Sequence, residues 1–228
     1  QQNAEHYFQQ AKKLKKKQEG INKAIQRFNL ELYELETKKE EALKHIKSEA
    51  SKPKAVKPLT KWYHAFHWFY SSEGILCVGG RGADSNEVLI KNYLEPKDLV
   101  FHTDQPGSPF FVIKTQGKKV SDATIQETAQ ATASYSKAWK LGIRSTDVYY
   151  VNADQVKKDL SLPKGSFMIY GKRTYLKPIL QTAVGVKDDG EIIGGPPTTV
   201  QKYAKSYFIV EQGEDKTTDA AKKIQKHL

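Results

Sequence analysis

His64, His67, His102 and Asp104 are the side chains of this sequence best suited to hold a metal or move a proton. A metal site needs three or four such ligands converging on one point. His64 and His67 stand three apart in a run that predicts a strand, and a strand turns them to opposite faces. His102 and Asp104 stand two apart at the end of a second strand-like run and can share a face. No further ligand accompanies them, so neither a metal nor a cofactor is expected. Cys77 is the only cysteine. It sits inside the apolar run "ILCV", the setting of a buried packing residue. One cysteine excludes an intrachain disulfide or a thiolate zinc site, and the expected setting is reducing and cytoplasmic. No serine occupies a recognisable nucleophile elbow.

Anion-binding chemistry has more candidates. "GGRGAD" (79–84) follows an apolar strand and precedes a helix, where backbone amides can meet a phosphate. It matches neither a dinucleotide fingerprint nor a P-loop, and a tight strand-to-helix turn is the plainer reading. Arg81 inside it either presents its fork to a phosphate or pairs with Glu87. "YGKRTYL" (170–176) places Lys172 and Arg173 in a glycine turn between aromatic residues. Lys114, Lys118, Lys119 and Lys177 add charge on other strands and turns. The expectation is one patch of Arg81, Lys172 and Arg173 that meets RNA phosphate. The rings of Trp62, Tyr63, Phe66, Trp68, Phe69 and Tyr70 must serve a core on one face of their strand. The other face could stack bases, and Trp68 and Phe69 are expected on opposite faces.

The elements that must position these groups follow from pattern. Residues 4–48 repeat apolar positions at spacings of four and three without a proline, as in Leu14, Ile21, Ile25, Phe28, Leu32 and Leu35. That is a coiled-coil seam, and it needs a second helix, from another copy or from a neighbouring part of the protein. Residues 1–61 carry 15 Lys/Arg against 8 Asp/Glu, so most of the net charge of +11 lies on this arm. The excess implies a polyanionic partner or a solvated basic face. The opening "QQNAEHYFQQ" reads as the start of a fragment, and no apolar run is long enough to span a membrane. Prolines in "SEASKPKAVKPLT" break the helix. The predicted organisation is a coiled-coil helix over 1–50, a linker over 51–61, and an α+β domain over 62–228, with 180–228 as its extension. Within that domain "AFHWFY" and "ILCVGG" predict a hairpin turning at Gly74. Helices are predicted over 84–94 and 121–142, and "DLVFHTD", "PFFVIKT", "DVYYV", "SFMIY" and "TYLKPIL" predict further strands. The absence of regular crossover helices favours a mixed or antiparallel sheet with flanking helices.

The ordered runs "WFYSSEGILCVGGRGADSNEVLIKNYLEPKDLVFHTD", "SYSKAW" and "ADQVKKDLSLPKGSFMIYGKRTYL" carry a resemblance. Together they are similar to the NFACT family's RNA-binding domain: W-F-x-S-S-E-G, G-G-R-D-A-x-x-N-E, a strand ending H-A-D, S-x-A-W, Q-V-x-K and G-S-F-x-I-x-G-K-K-x-x-L. "NAEHYFQQ" resembles the start of the family's coiled coil, so the likeness spans about residues 3–180. The tail "GEIIGGPPTTV" is similar to extensions of archaeal members. Departures occur at "GRGAD", where the acid is lost or moved to Asp84, at "FHTD", and at "DVYYV". The resemblance implies a ribosome-associated quality-control factor that binds the stalled large subunit and recruits aminoacyl-tRNA for untemplated tailing of the nascent chain. It implies tRNA and rRNA as partners, a missing N-terminal part of the same protein, and no catalytic residue. Asn86, Trp139 and Lys158 match the family's motifs and join Arg81, His102, Asp104, Lys114, Lys172 and Arg173 as candidate RNA-binding residues. Some relatives bear an older fibronectin-binding label. Two other classes stay open: an enzyme acting on nucleic acid or nucleotide through His102, Asp104 and Arg81, and a coiled-coil scaffold that docks protein.

Overall fold

The computed structural model describes residues 61–159 and 161–227, and in the arm residues 12, 14, 15, 17–23 and 25–32. The chain divides into two units, 1–60 and 61–228. The described arm residues are helical and exposed, among them Leu14, Ile21, Ile25, Phe28 and Leu32 of the expected seam. The rest of the expected coiled coil lies outside the described residues.

The second unit is α+β. A helical turn at Trp62–Ala65 leads into β1 (His67–Tyr70), and β2 (Leu76–Gly79) returns beside it as the expected hairpin. Gly74 makes the turn possible: its φ of +79° is a left-handed conformation that favours glycine. Then follow α1 (Ala83–Tyr93), β3 (Leu99–Thr103), β4 (Phe111–Ile113), α2 (Asp122–Ser134), the short α3 (Lys137–Lys140) and β5 (Val148–Asn152). β6 (Val156–Lys157) and β7 (Met168–Ile169) form a two-stranded ribbon, and β8 (Thr174–Leu176) completes the main sheet. That sheet has six antiparallel strands in the order β1-β2-β4-β3-β5-β8.

Both faces of the sheet are covered, and the side chains sort by the period of two that a strand imposes. Phe69, Cys77, Phe101, Phe111, Ile113 and Val148 point into one buried cluster with the alanines of α2. Their neighbours Val78, Val100, Val112, Tyr149 and Val151 point into the other, with Leu89 and Ile90 of α1. Burial on both faces explains why the strands read as nearly continuous apolar runs. α2 lies close to the sheet because the buried side of it is alanine and threonine. The Thr128 and Thr132 hydroxyls are satisfied by the carbonyls four residues back, at 2.8 and 2.7 Å.

The predicted helix over 121–142 is two helices. α2 ends at Ser134, and Ser136 caps α3 by accepting from the Ala138 amide at 3.2 Å. The C-terminal part adds a three-stranded sheet, β10-β9-β11, from β9 (Thr182–Val186), β10 (Ile192–Gly195) and β11 (Ser206–Val210), with α4 (Pro197–Tyr203) and α5 (Thr217–His227). This sheet is fastened to the β1–β2 turn. Tyr203 Oη donates to Ser71 O at 2.8 Å, Lys202 Nζ donates to Ser72 O, and Thr198 Oγ1 donates to Glu127 Oε1 at 3.0 Å.

Candidate nucleic-acid interface

The glycine pair that ends β2 is required by packing. A Cβ on Gly79 would lie 2.4 Å from the Phe111 ring, and one on Gly80 would lie 1.9 Å from Asn86 Oδ1. Asn86 is buried, and its Oδ1 accepts from the Phe110 amide at 3.1 Å. It locks the start of α1 to the segment before β4, and it also lines the groove described below. Past the pair, Arg81 turns outward. Its Nη2 donates to Phe66 O at 3.0 Å and to His64 O at 3.5 Å, which leaves Nε and Nη1 available. Among the described residues no carboxylate pairs with it, and the alternative Arg81–Glu87 pair does not form. Glu87 instead accepts from Lys91 at 2.6 Å, from Lys158 at 2.9 Å and from the Gly165 amide at 2.7 Å.

That Glu87 clamp builds the opposite wall of a groove. It draws the loop 163–167 over the start of α1, and Lys158 Nζ adds bonds to Pro163 O at 2.9 Å and Ser166 O at 3.1 Å. Lys158, expected among the RNA contacts, is thus tied into the domain by these bonds. The groove, with a volume of about 600 Å³, runs between Arg81 and Arg173 and includes His102, Asp104, Tyr149 and Lys164. Arg173 lies 4.6 Å from the centre of the Tyr149 ring and donates to Asp104 Oδ1 at 3.4 Å, so it is held flat and partly neutralised. Lys164 pairs with Asp84 at 2.5 Å. The turn that presents Lys172 and Arg173 is pinned by Gln155, whose Nε2 donates to Tyr170 O at 2.7 Å and Lys172 O at 3.0 Å. Of the expected patch, Arg81 and Arg173 share the groove. Lys172 stands exposed on the turn and does not line it.

His102, Asp104 and Arg81 lie along one groove but serve separate neighbours. His102 Nδ1 bonds Thr103 O at 2.6 Å and its ring packs 4.3 Å from Phe110. Burial lowers its pKa, so at neutral pH it is an uncharged ring. Asp104 accepts from Arg173 and, at 3.3 Å, from Tyr175 Oη. No hydrogen bond joins the three to one another, which is the geometry of a binding wall and not of an acid–base relay. His64 and His67 also differ from expectation. His64 belongs to the helical turn and stacks on Trp68, while His67 begins β1 and stacks on Tyr135 at 4.1 Å. Lys114, expected at the RNA surface, is turned inward: its side chain is 7% exposed and bonds Asp98 Oδ2 at 2.5 Å. Trp139 is half-buried against the cluster beneath α2.

The family model described as the NFACT protein RNA binding domain matches residues 65–171, a span that includes Arg81 and the loop 163–167 and ends just before Arg173. The chain belongs to the NFACT family. It is 38% identical over 180 residues to the Archaeal Rqc2 homolog aRqcH of Methanocaldococcus jannaschii, covering 75% of this chain and 27% of that protein. It is 35% identical to the human Ribosome quality control complex subunit NEMF, covering 77% of this chain and 16% of that protein. The chain thus spans about a quarter or less of the curated relatives it matches. A solved structure, the C-terminal of the fibronectin/fibrinogen-binding protein from Streptococcus suis, aligns at 20% identity and a TM-score of 0.46, covering 59% of this chain and 53% of that one.

Seen on the structure, several residues of the NFACT signature serve the domain's interior. The pair Gly79–Gly80, Asn86, Glu87, Ser136 and Lys158 hold elements together, whereas Arg81, Lys172 and Arg173 face outward. The departure at "GRGAD" leaves Gly82 beside Arg81, and the acid at position 84 pairs with Lys164.

Proposed function

We propose that this chain is the RNA-binding module of a ribosome quality-control factor. In this reading it binds tRNA and the rRNA of the stalled large subunit in the cytoplasm and supports untemplated tailing of the nascent chain. The observation that carries the reading is the groove, lined by Arg81, inside the family-matched span, and by Arg173, two residues past its end. Two guanidiniums on rigid mounts suit a phosphate backbone, which needs charge and position but no catalytic group. The basic arm adds long-range attraction. Among the described residues no helix is long and apolar enough to cross a membrane.

The test is a salt titration of tRNA binding to the 228-residue chain. With about six phosphates contacted, affinity falls by several orders of magnitude over a fourfold rise in salt. Arg81→Ala with Arg173→Ala lowers affinity and flattens the salt slope by about two, one for each lost phosphate contact. Salt-independent binding, or a double variant that binds like the parent, refutes the reading.

A further inference from the structure

Beside the groove lies a second concavity of about 480 Å³, within the roughly 300–1,000 Å³ typical of sites for small organic groups. The rings of His67, Trp68, Tyr70, Tyr135 and Tyr203 line it, and residues 192–194 of β10 complete it. His67, Arg81 and Tyr135 line both concavities, so the two open on one shared rim. The cavity is composite. The family match ends at residue 171, whereas the β10 and α4 residues of the cavity lie between 192 and 203. The bonds from Tyr203 and Lys202 to the β1–β2 turn fix that later sheet in place.

The two halves of the site select one kind of ligand. Flat aromatic walls take a planar ring, and the Arg81 fork at the rim takes an anion a few bonds away. Burial, and secondarily the charge of Arg81, lower the pKa of His67 to about 4. Its uncharged imidazole offers one donor and one acceptor to a ring edge. A planar heterocycle joined to a phosphate is a nucleotide, and only an unpaired base can leave its strand to enter a cavity. We infer that the cavity receives an unpaired nucleobase of single-stranded RNA whose adjoining phosphate sits on Arg81. This rests on the RNA-binding reading of the groove and adds to it a preference for unpaired segments.

The test measures anisotropy of labelled RNA with the 228-residue chain. The probes are a single strand of about eight nucleotides, within the usual span of a small single-strand site, the same backbone with every base removed, and a duplex of equal phosphate number. The parent binds the intact strand roughly five- to a hundredfold tighter than the abasic one, the worth of one base stacked on aromatic side chains. Gly194→Phe fills the cavity: a Cβ there meets nothing nearer than Ala183 O at 3.6 Å, so the backbone accepts it. That variant loses the discrimination between intact and abasic strands and keeps the parent's duplex affinity. Should it melt early, the intact-against-abasic comparison on the parent decides alone. Equal affinity of the parent for both strands overturns the inference, as does Gly194→Phe retaining the discrimination. If duplex binding and its salt slope persist in those cases, the cavity inference falls by itself. If none of the three RNAs binds at low salt, the groove reading falls with it.

Discussion

Lys114→Met tests whether a lysine of an RNA-binding domain is there for RNA. The substitution keeps the length of the side chain and deletes its charge. Lys114 Nζ lies 2.5 Å from Asp98 Oδ2, 2.6 Å from Tyr93 O and 3.3 Å from Glu95 Oε1. The Asp98 side chain is 0% exposed, so the substitution would leave a buried carboxylate without its cation. Breaking a buried pair from one side costs about 3–5 kcal/mol. Asp98 still accepts from the Thr115 amide at 3.1 Å and the Glu95 amide at 2.9 Å, which favours the lower end, about 3 kcal/mol. With a urea dependence of about 2–3 kcal/mol per molar, the unfolding midpoint falls by about 1–1.5 M. Adding Asp98→Asn removes the stranded charge and restores more than half of the loss. RNA affinity, measured by anisotropy at a temperature where the variant is folded, matches the parent. A Lys114→Met chain of parental stability with weakened RNA binding would refute the argument and return Lys114 to the interface.

Cys77 is fully buried, its pKa pushed up to about 12 chiefly by burial, and its Sγ lies 3.3 Å from Thr128 Oγ1. The native chain leaves a thiol reagent unreacted at pH 8 and consumes one equivalent after unfolding; rapid native labelling would contradict this. Gly80→Ala forces a Cβ onto Asn86 Oδ1 and destabilises the domain by about 1–3 kcal/mol, read as a lowered melting temperature. The seam of the arm predicts concentration-dependent association of the 228-residue chain in sedimentation, weakened by Ile21→Lys with Phe28→Lys.

The layers of the domain were legible because burial on both faces of a sheet leaves a record in the residues. Val100–Phe101 and Phe111–Val112–Ile113 are apolar without alternation, and the hairpin announced itself through Gly74. The division of 121–142 into two helices was less visible, since alanine and threonine run through the break and the capping Ser136 resembles any other serine. The candidate interface was half legible. Arg81 and Arg173 stand out beside glycine turns, but nothing local says that Glu87 draws Lys164 and Gly165 across the chain to make a wall. Tyr135, Tyr149, Gln155 and Lys164 do not stand out in the same way. Only Gln155 left a signal, the Asn152-to-Gln155 spacing of a capping pair, with Gln155 Oε1 accepting from the Asn152 amide at 2.9 Å. Lys114 shows the opposite error: charge alone reads as surface, and Asp98, distant in sequence, holds it inside.

Glu87 makes the shape of the groove depend on a single carboxylate. Hydrogen bonds from Lys91, from the Gly165 amide and from Lys158 hold its pKa down to about 2. The unfolded value is about 4.3, so the folded state prefers the ionised form. A group with a depressed folded pKa contributes stability that is fully present above the unfolded value and is lost as pH falls toward the folded one. The contribution is therefore intact at pH 7 and fades between about pH 4.5 and 2. Glu87→Gln keeps one oxygen for the Gly165 amide but offers no charge to the two lysines. At pH 7 the variant has a lower urea midpoint than the parent, and between about pH 5 and 2.5 the two curves converge, because the parent loses what the variant never had. Cleavage after Lys164 by trypsin at pH 8 is faster in the variant if the loop is released. Parallel pH curves with a constant offset would show that Glu87 acts by packing instead of charge. Equal stability at pH 7 would show that the loop is held by other bonds, and that the wall facing Arg81 does not need the clamp.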